Sequence, residues 1–133
     1  MNDKELRLKV LSMLYQNEKE GKPAPGTIKD LEGLSLDEYR WASYYLITHN
    51  LVDGSMDRAG GHVLAWANHI SRRGMDVIEK FIDTSIEQVE ENKISISNKA
   101  VTYVEKLLEL FVIWSKNPEL QQQAWDLLTE LSK

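Results

Sequence analysis

The chain has 133 residues, enough for one compact domain or for a small domain with a helical appendage. Hydrophobic residues make up 42% and charged residues 28%, which argues against disorder, and the lack of cysteine excludes disulfides and thiolate metal sites. The net charge of −5 is uneven: 11 Lys+Arg face 12 Asp+Glu over residues 1–82, and 5 face 9 over residues 83–133, so nothing pulls the whole chain toward phosphate.

The first residues, MNDKELRLKV, include acidic side chains and no apolar core of signal-peptide length, and the longest apolar run is only Leu110 to Trp114. A soluble cytoplasmic protein with no membrane partner is expected. Leu8, Leu11 and Tyr15 then recur at helical spacing with Val10 and Leu14 on an adjoining face, until GKPAPG ends the helix. Thr27 opens a short helical turn, with Asp30 three residues on and Gly33 as the stop. Ser35 and Glu38 have capping-box spacing, and Leu34 and Tyr39 the spacing of a hydrophobic staple. Behind that cap Tyr39, Ala42 and Leu46 form one apolar line, and the helix gives out near Asn50.

Two extended segments joined by Gly60 and Gly61 read as a β-hairpin. Strict alternation in the second strand puts Leu64, Trp66 and Ile70 on one face and Val63, Ala65, Ala67 and His69 on the other. At Ser71 the period turns helical: Ser71 can cap, Ile70 and Met75 have staple spacing, and Ile78 and Phe81 continue the line. Residues 83–97 read as a short polar helix and a link. A helix then carries Val101, Val104, Leu107, Leu108 and Phe111 on overlapping faces. Asn117-Pro118 starts the last one, striped by Leu120, Ala124, Leu127, Leu128 and Leu131.

The order helix, helix-turn-helix, hairpin, helix is that of a winged helix, and LSLDEYRWASYYLITHNLVDG together with ISRRGMDVIEKF resembles the winged helix-turn-helix superfamily. The resemblance covers about Lys4 to Ile82 and extends to small prokaryotic and phage winged-helix proteins. It implies a mostly α fold with a small β-wing: residues 1–82 as the winged domain and residues 83–133 as a two-helix extension. It also implies double-stranded DNA as partner and transcriptional regulation as function. Winged helices serve as protein-interaction modules too, so that alternative stands beside it.

Helical spacing exposes Asp37, Arg40, Trp41, Tyr44 and Thr48 on the helix that the resemblance makes the reader of DNA. Arg40 suits a guanine edge, and Tyr44 or Thr48 a phosphate. Asp37 repels phosphate, and Trp41 with Tyr44 equally suits a protein partner. Arg58 and His62 fall at the wing, and Lys29 is placed for a backbone phosphate. Arg72 and Arg73 lie in the first turn of a helix, where the dipole disfavours cations, which hints at phosphate contact against the plainer reading of solvated side chains. His62 and His69, seven apart in a strand, are expected on opposite faces. No metal ligand set, cofactor motif, nucleophile motif or phosphate-cradling loop appears, so neither an enzyme nor a cofactor is expected. Leu107, Leu108, Leu110, Phe111, Val112, Ile113 and Trp114 cover more than one helix face, and among them Leu107, Leu110, Phe111 and Trp114 stand out together with Leu128 on the last helix. They are expected to bury themselves in a homodimer that spaces two winged domains over two half-sites, with packing inside the chain as the alternative.

Overall fold

Capping residues set most of the helix boundaries. The computed structural model describes residues 1–133, in the order α1 (Asp3–Glu20), a 3₁₀ turn (Ile28–Leu31), α2 (Leu36–Thr48), β1 (Val52–Ala59), β2 (His62–Ile70), α3 (Arg72–Glu91), α4 (Tyr103–Lys116) and α5 (Pro118–Leu131). Ser35 Oγ accepts from the Glu38 amide at 3.1 Å and Glu38 accepts in turn from the Ser35 amide at 2.9 Å, closing the expected box. Thr27 and Asp30 close another. Ser71 Oγ accepts from the Gly74 amide at 3.0 Å and donates to the Asn50 carbonyl at 2.7 Å, so one hydroxyl starts α3 and ties it to the end of α2. No helix is long and apolar enough to cross a membrane.

The strands form one antiparallel hairpin closed by Gly60 and Gly61, at φ 58° and 83°. Both lie in the left-handed region that a two-residue primed turn requires. One irregularity alters the expected pattern. Asp53 pairs with His69 but Gly54 pairs with Ala67, so Asn68 is an extra residue on β2. That bulge reverses the alternation beyond it. Val63, Ala65, Ala67 and Ile70 therefore share the face of Val52, Gly54, Met56 and Arg58, and Ile70 parts from Leu64 and Trp66. The buried members of β2 are Ala65, Ala67 and Ile70, while Leu64 and Trp66 are half-buried. By the same shift His62 and His69 fall on one face, although far apart along it.

The chain divides into two compact units, Met1–Asp76 and Val77–Lys133, and the division falls within α3. The boundary expected from the sequence, after residue 82, lies further along the same helix. In the first unit α1 and α2 pack together and both pack on β2. The unit's buried apolar residues include Leu11, Tyr15, Leu31, Tyr39, Leu46 and Leu51. The start of α3 passes so close to Leu51 that a side chain at Gly74 would overlap the Leu51 carbonyl oxygen, which itself accepts from the Ser71 amide at 3.0 Å.

The second unit departs from expectation in two places. α3 runs unbroken to Glu91 instead of stopping for a short polar helix and a link. The reason is that Ile78, Phe81, Ile82, Ser85 and Val89 keep a buried line at helical spacing. α4 starts at Tyr103, where Thr102 and Glu105 form a capping box, and this leaves Val101 outside the helix and 75% exposed. Leu107, Leu110, Trp114 and Leu128 are buried within the folded chain, and Phe111 is half-buried with its ring 5.4 Å from that of Trp114. Phe81 lies 5.7 Å from the same indole. Four of the five side chains expected at a dimer contact are thus buried in the chain itself, Phe111 is partly open, and the exposed apolar residues of α4 are Leu108 and Val112.

Replacing Gly74 by Ala should destabilise the fold by about 1–3 kcal/mol despite alanine's better helix propensity, because backbone must move to admit the methyl. A urea midpoint equal to that of the parent chain would show that no close approach exists. Glu38 and Glu105 are held below the usual carboxylate range, first by the backbone amides of Ser35 and Thr102. Their contribution is present above the unfolded carboxylate pKa of about 4.3 and lost as pH falls through the lower folded values. Glu38→Gln keeps the box geometry, so thermal midpoints of that variant should fall less steeply with acidification than those of the parent.

Candidate interaction face on α2 and the hairpin

The face exists because the opposite side of α2 is fastened to β2. Tyr39, Ala42, Ser43 and Leu46 point inward and are buried. The Tyr39 hydroxyl donates to the Ala67 carbonyl, and the Ala67 amide donates to Ser43 Oγ at 3.1 Å. Both backbone groups of one strand residue are thus held by two side chains one helical turn apart. Burial pushes the Tyr39 phenol well above its ordinary pKa, so it stays a neutral donor. The Tyr39 ring tilts against that of Trp66 at 4.6 Å, and Trp66 Nε1 donates to the Pro25 carbonyl at 2.8 Å. At Gly54 a side chain would meet the Trp66 carbonyl and the Ile47 methyl, so glycine lets α2 and the hairpin close together.

With that side occupied, Asp37, Trp41, Tyr44 and Thr48 lie on the outward side together with half-exposed Arg40, as helical spacing indicates. Trp41 is 65% and Tyr44 40% exposed, high for residues of their size. They form a ridge with a groove on each side. One groove lies between α2 and the hairpin and is lined by Asp37, Arg40, Trp41, Tyr44, His62, Val63 and Leu64. The other lies between α2 and α1, where Asp3, Leu6, Arg7, Tyr45 and His49 are among the residues of its wall. There the Arg7 guanidinium sits 3.6 Å over the Tyr45 ring, and that ring stacks on His49 at 3.9 Å. Sequence patterning does not single out these three. Tyr45 and His49 stand four apart on one helix, which is a signal, but Arg7 lies far from both in the chain and only the fold unites them.

Of the candidate contact residues, Arg40, Trp41, Tyr44 and His62 come together in the first groove. Arg58 is exposed on β1 opposite Val63, and Lys29 is exposed on the 3₁₀ turn. The Thr48 hydroxyl turns back onto the Tyr44 and Tyr45 carbonyls at 2.9 and 3.0 Å, so its proton is engaged in its own helix. Arg73 donates to the His49 carbonyl at 2.6 Å, which places a cation at the C-terminal end of α2. The mild conflict of Arg73 with the α3 dipole is thereby offset at a second helix. Arg72 stays exposed.

No family model, curated protein or solved structure matches the chain. The face must be read from its own chemistry. Its groove beside the hairpin holds one carboxylate, one guanidinium, one imidazole, two large aromatic rings and two aliphatic side chains, which is close to electrical neutrality. No three His, Asp or Glu side chains come together to hold a metal ion.

Tyr39→Phe should lower stability by about 1–3 kcal/mol, because it leaves the buried Ala67 carbonyl without its donor. Trp41→Ala should change stability by less than about 0.5 kcal/mol, since that ring is turned to solvent. Chemical denaturation of the pair checks both. Equal losses would mean that Trp41 belongs to the core.

Proposed function

We propose that the first unit is a winged helix-turn-helix domain that binds duplex DNA through the exposed side of α2 and the adjoining hairpin, and that the protein regulates transcription. The observation that carries this reading is the continuity of the two elements. The α2 face and β2 line one groove, so a helix and a glycine-tipped hairpin meet the same surface. Arg40 is the residue for a base edge, with Tyr44 beside it. Arg58 and His62 serve the wing, and Lys29 and Arg72 are exposed cations for phosphate. Thr48 and Arg73 contribute less than their sequence positions imply, because the Thr48 hydroxyl bonds within its own helix and one Arg73 guanidinium nitrogen is held by the His49 carbonyl.

One observation favours a second reading, a winged-helix module for protein partners that does not bind DNA. The groove is nearly neutral, and its most exposed aromatic members are Trp41 and Tyr44, residue types that dominate interface hot spots. The two readings differ in salt dependence. With Arg58, Lys29 and Arg72 on phosphates, the logarithmic salt slope would be about −3.

Selection from a random duplex library at two salt concentrations tests the proposal. Enrichment of a defined sequence is expected, with Arg40→Glu and Arg58→Glu each weakening binding by roughly tenfold or more. No enrichment at either salt, or affinity and slope unchanged in both variants, would remove DNA and leave the protein-docking reading.

A further inference from the structure

The residues that the sequence pattern assigns to a dimer contact are mostly buried in a single chain, yet α4 still leaves apolar surface uncovered. Leu108 is 48% and Val112 57% exposed, and half-buried Val104 and Phe111 flank them. Glu105, Leu108, Val112 and Lys116 succeed one another at spacings of three and four, so they form a single exposed stripe. Beyond Pro118, the exposed residues of α5 are polar by contrast.

We propose that this stripe is a self-association surface, on which α4 of a second copy of the chain lies antiparallel about a twofold axis near residue 110. The occupant is dictated by the stripe's own symmetry. It begins with an acid, ends with a base and holds its two branched apolar residues between them. An antiparallel copy sets Leu108 against Val112 of the second chain and Glu105 against Lys116, and a twofold repeats each contact. A parallel copy would set Glu105 against Glu105 and Lys116 against Lys116. Antiparallel helix dipoles also attract. This inference is independent of DNA binding, because it concerns the second unit and is measured without nucleic acid.

Sedimentation velocity of the full chain across a series of micromolar concentrations tests it. A reversible monomer–dimer equilibrium is expected. Leu108→Glu should raise the dimer dissociation constant by more than about tenfold while leaving circular dichroism and the thermal midpoint at low concentration unchanged, since the position is exposed. Lys116→Glu should weaken the dimer as well, and more so at low salt, because it sets acid against acid. A parent chain that stays monomeric at the highest concentration overturns the proposal, as does a dimer indifferent to Leu108→Glu. Should Leu108→Glu fail to fold, a dimer unaffected by Lys116→Glu overturns it equally.

Discussion

A single strand residue, Ala67, fixes the geometry on which the candidate face depends. Its carbonyl takes the Tyr39 hydroxyl and its amide gives to Ser43 Oγ, so both of its backbone polar groups end on α2. Buried backbone groups must find partners, and leaving either unmet would cost about 1–3 kcal/mol. The bulge at Asn68 sits immediately beyond this point. Bulges bend a strand and re-aim the side chains on their far side. Here the consequence is that Ile70 reaches the buried side just where Ser71 caps α3 and bonds to the end of α2. The inward side of α2 is committed to these contacts, and the outward side is left as surface by elimination.

This explains why the face is shaped by small residues as much as by large ones. Ala65 and Ala67 are buried because α2 lies close to β2, and Gly54 admits Ile47 where a side chain would not fit. Trp66, on the alternate side of the strand, reaches the edge of the same helix, where it finds a ring partner in Tyr39, and it donates to the Pro25 carbonyl. Trp41 and Tyr44 have no such inward partners. Large aromatic rings held on a fastened helix present a surface at low entropic cost of ordering, which suits either a DNA groove or a protein partner. The near neutrality of that surface is what separates the candidate roles, since phosphate contact needs cations and hot-spot packing does not.

The hairpin, the Ser35 cap, the Ser71 cap and the Asn117-Pro118 start are legible in the sequence, because each is a local signal of a few residues. The outward stripe of α2 is equally legible from period alone. Three kinds of feature are not. A one-residue bulge leaves no trace in an alternating string such as HVLAWANHI, yet it decides which of Leu64, Trp66 and Ile70 belong together. α3 continues past Ile82 because Val89 resumes the buried line beyond Ser85, and a serine in that line does not mark it as apolar. The role of Arg73 depends on the His49 carbonyl, a partner set by the meeting of two helices. At α4 the breadth of the apolar surface shows in the sequence, but the share that the chain itself covers does not. Of the residues expected at a self-association contact, Leu107, Leu110, Trp114 and Leu128 face inward, and Phe111 is half-buried.

Native-state hydrogen exchange at the Ala67 amide tests the fastening of α2 to the hairpin most directly. If Ser43 and Tyr39 hold this residue as described, its amide should exchange only through opening that matches global unfolding, with the same denaturant dependence. Exchange as rapid as at Gly60 and Gly61 in the turn would mean that the hairpin swings free of α2. One continuous surface would then not exist.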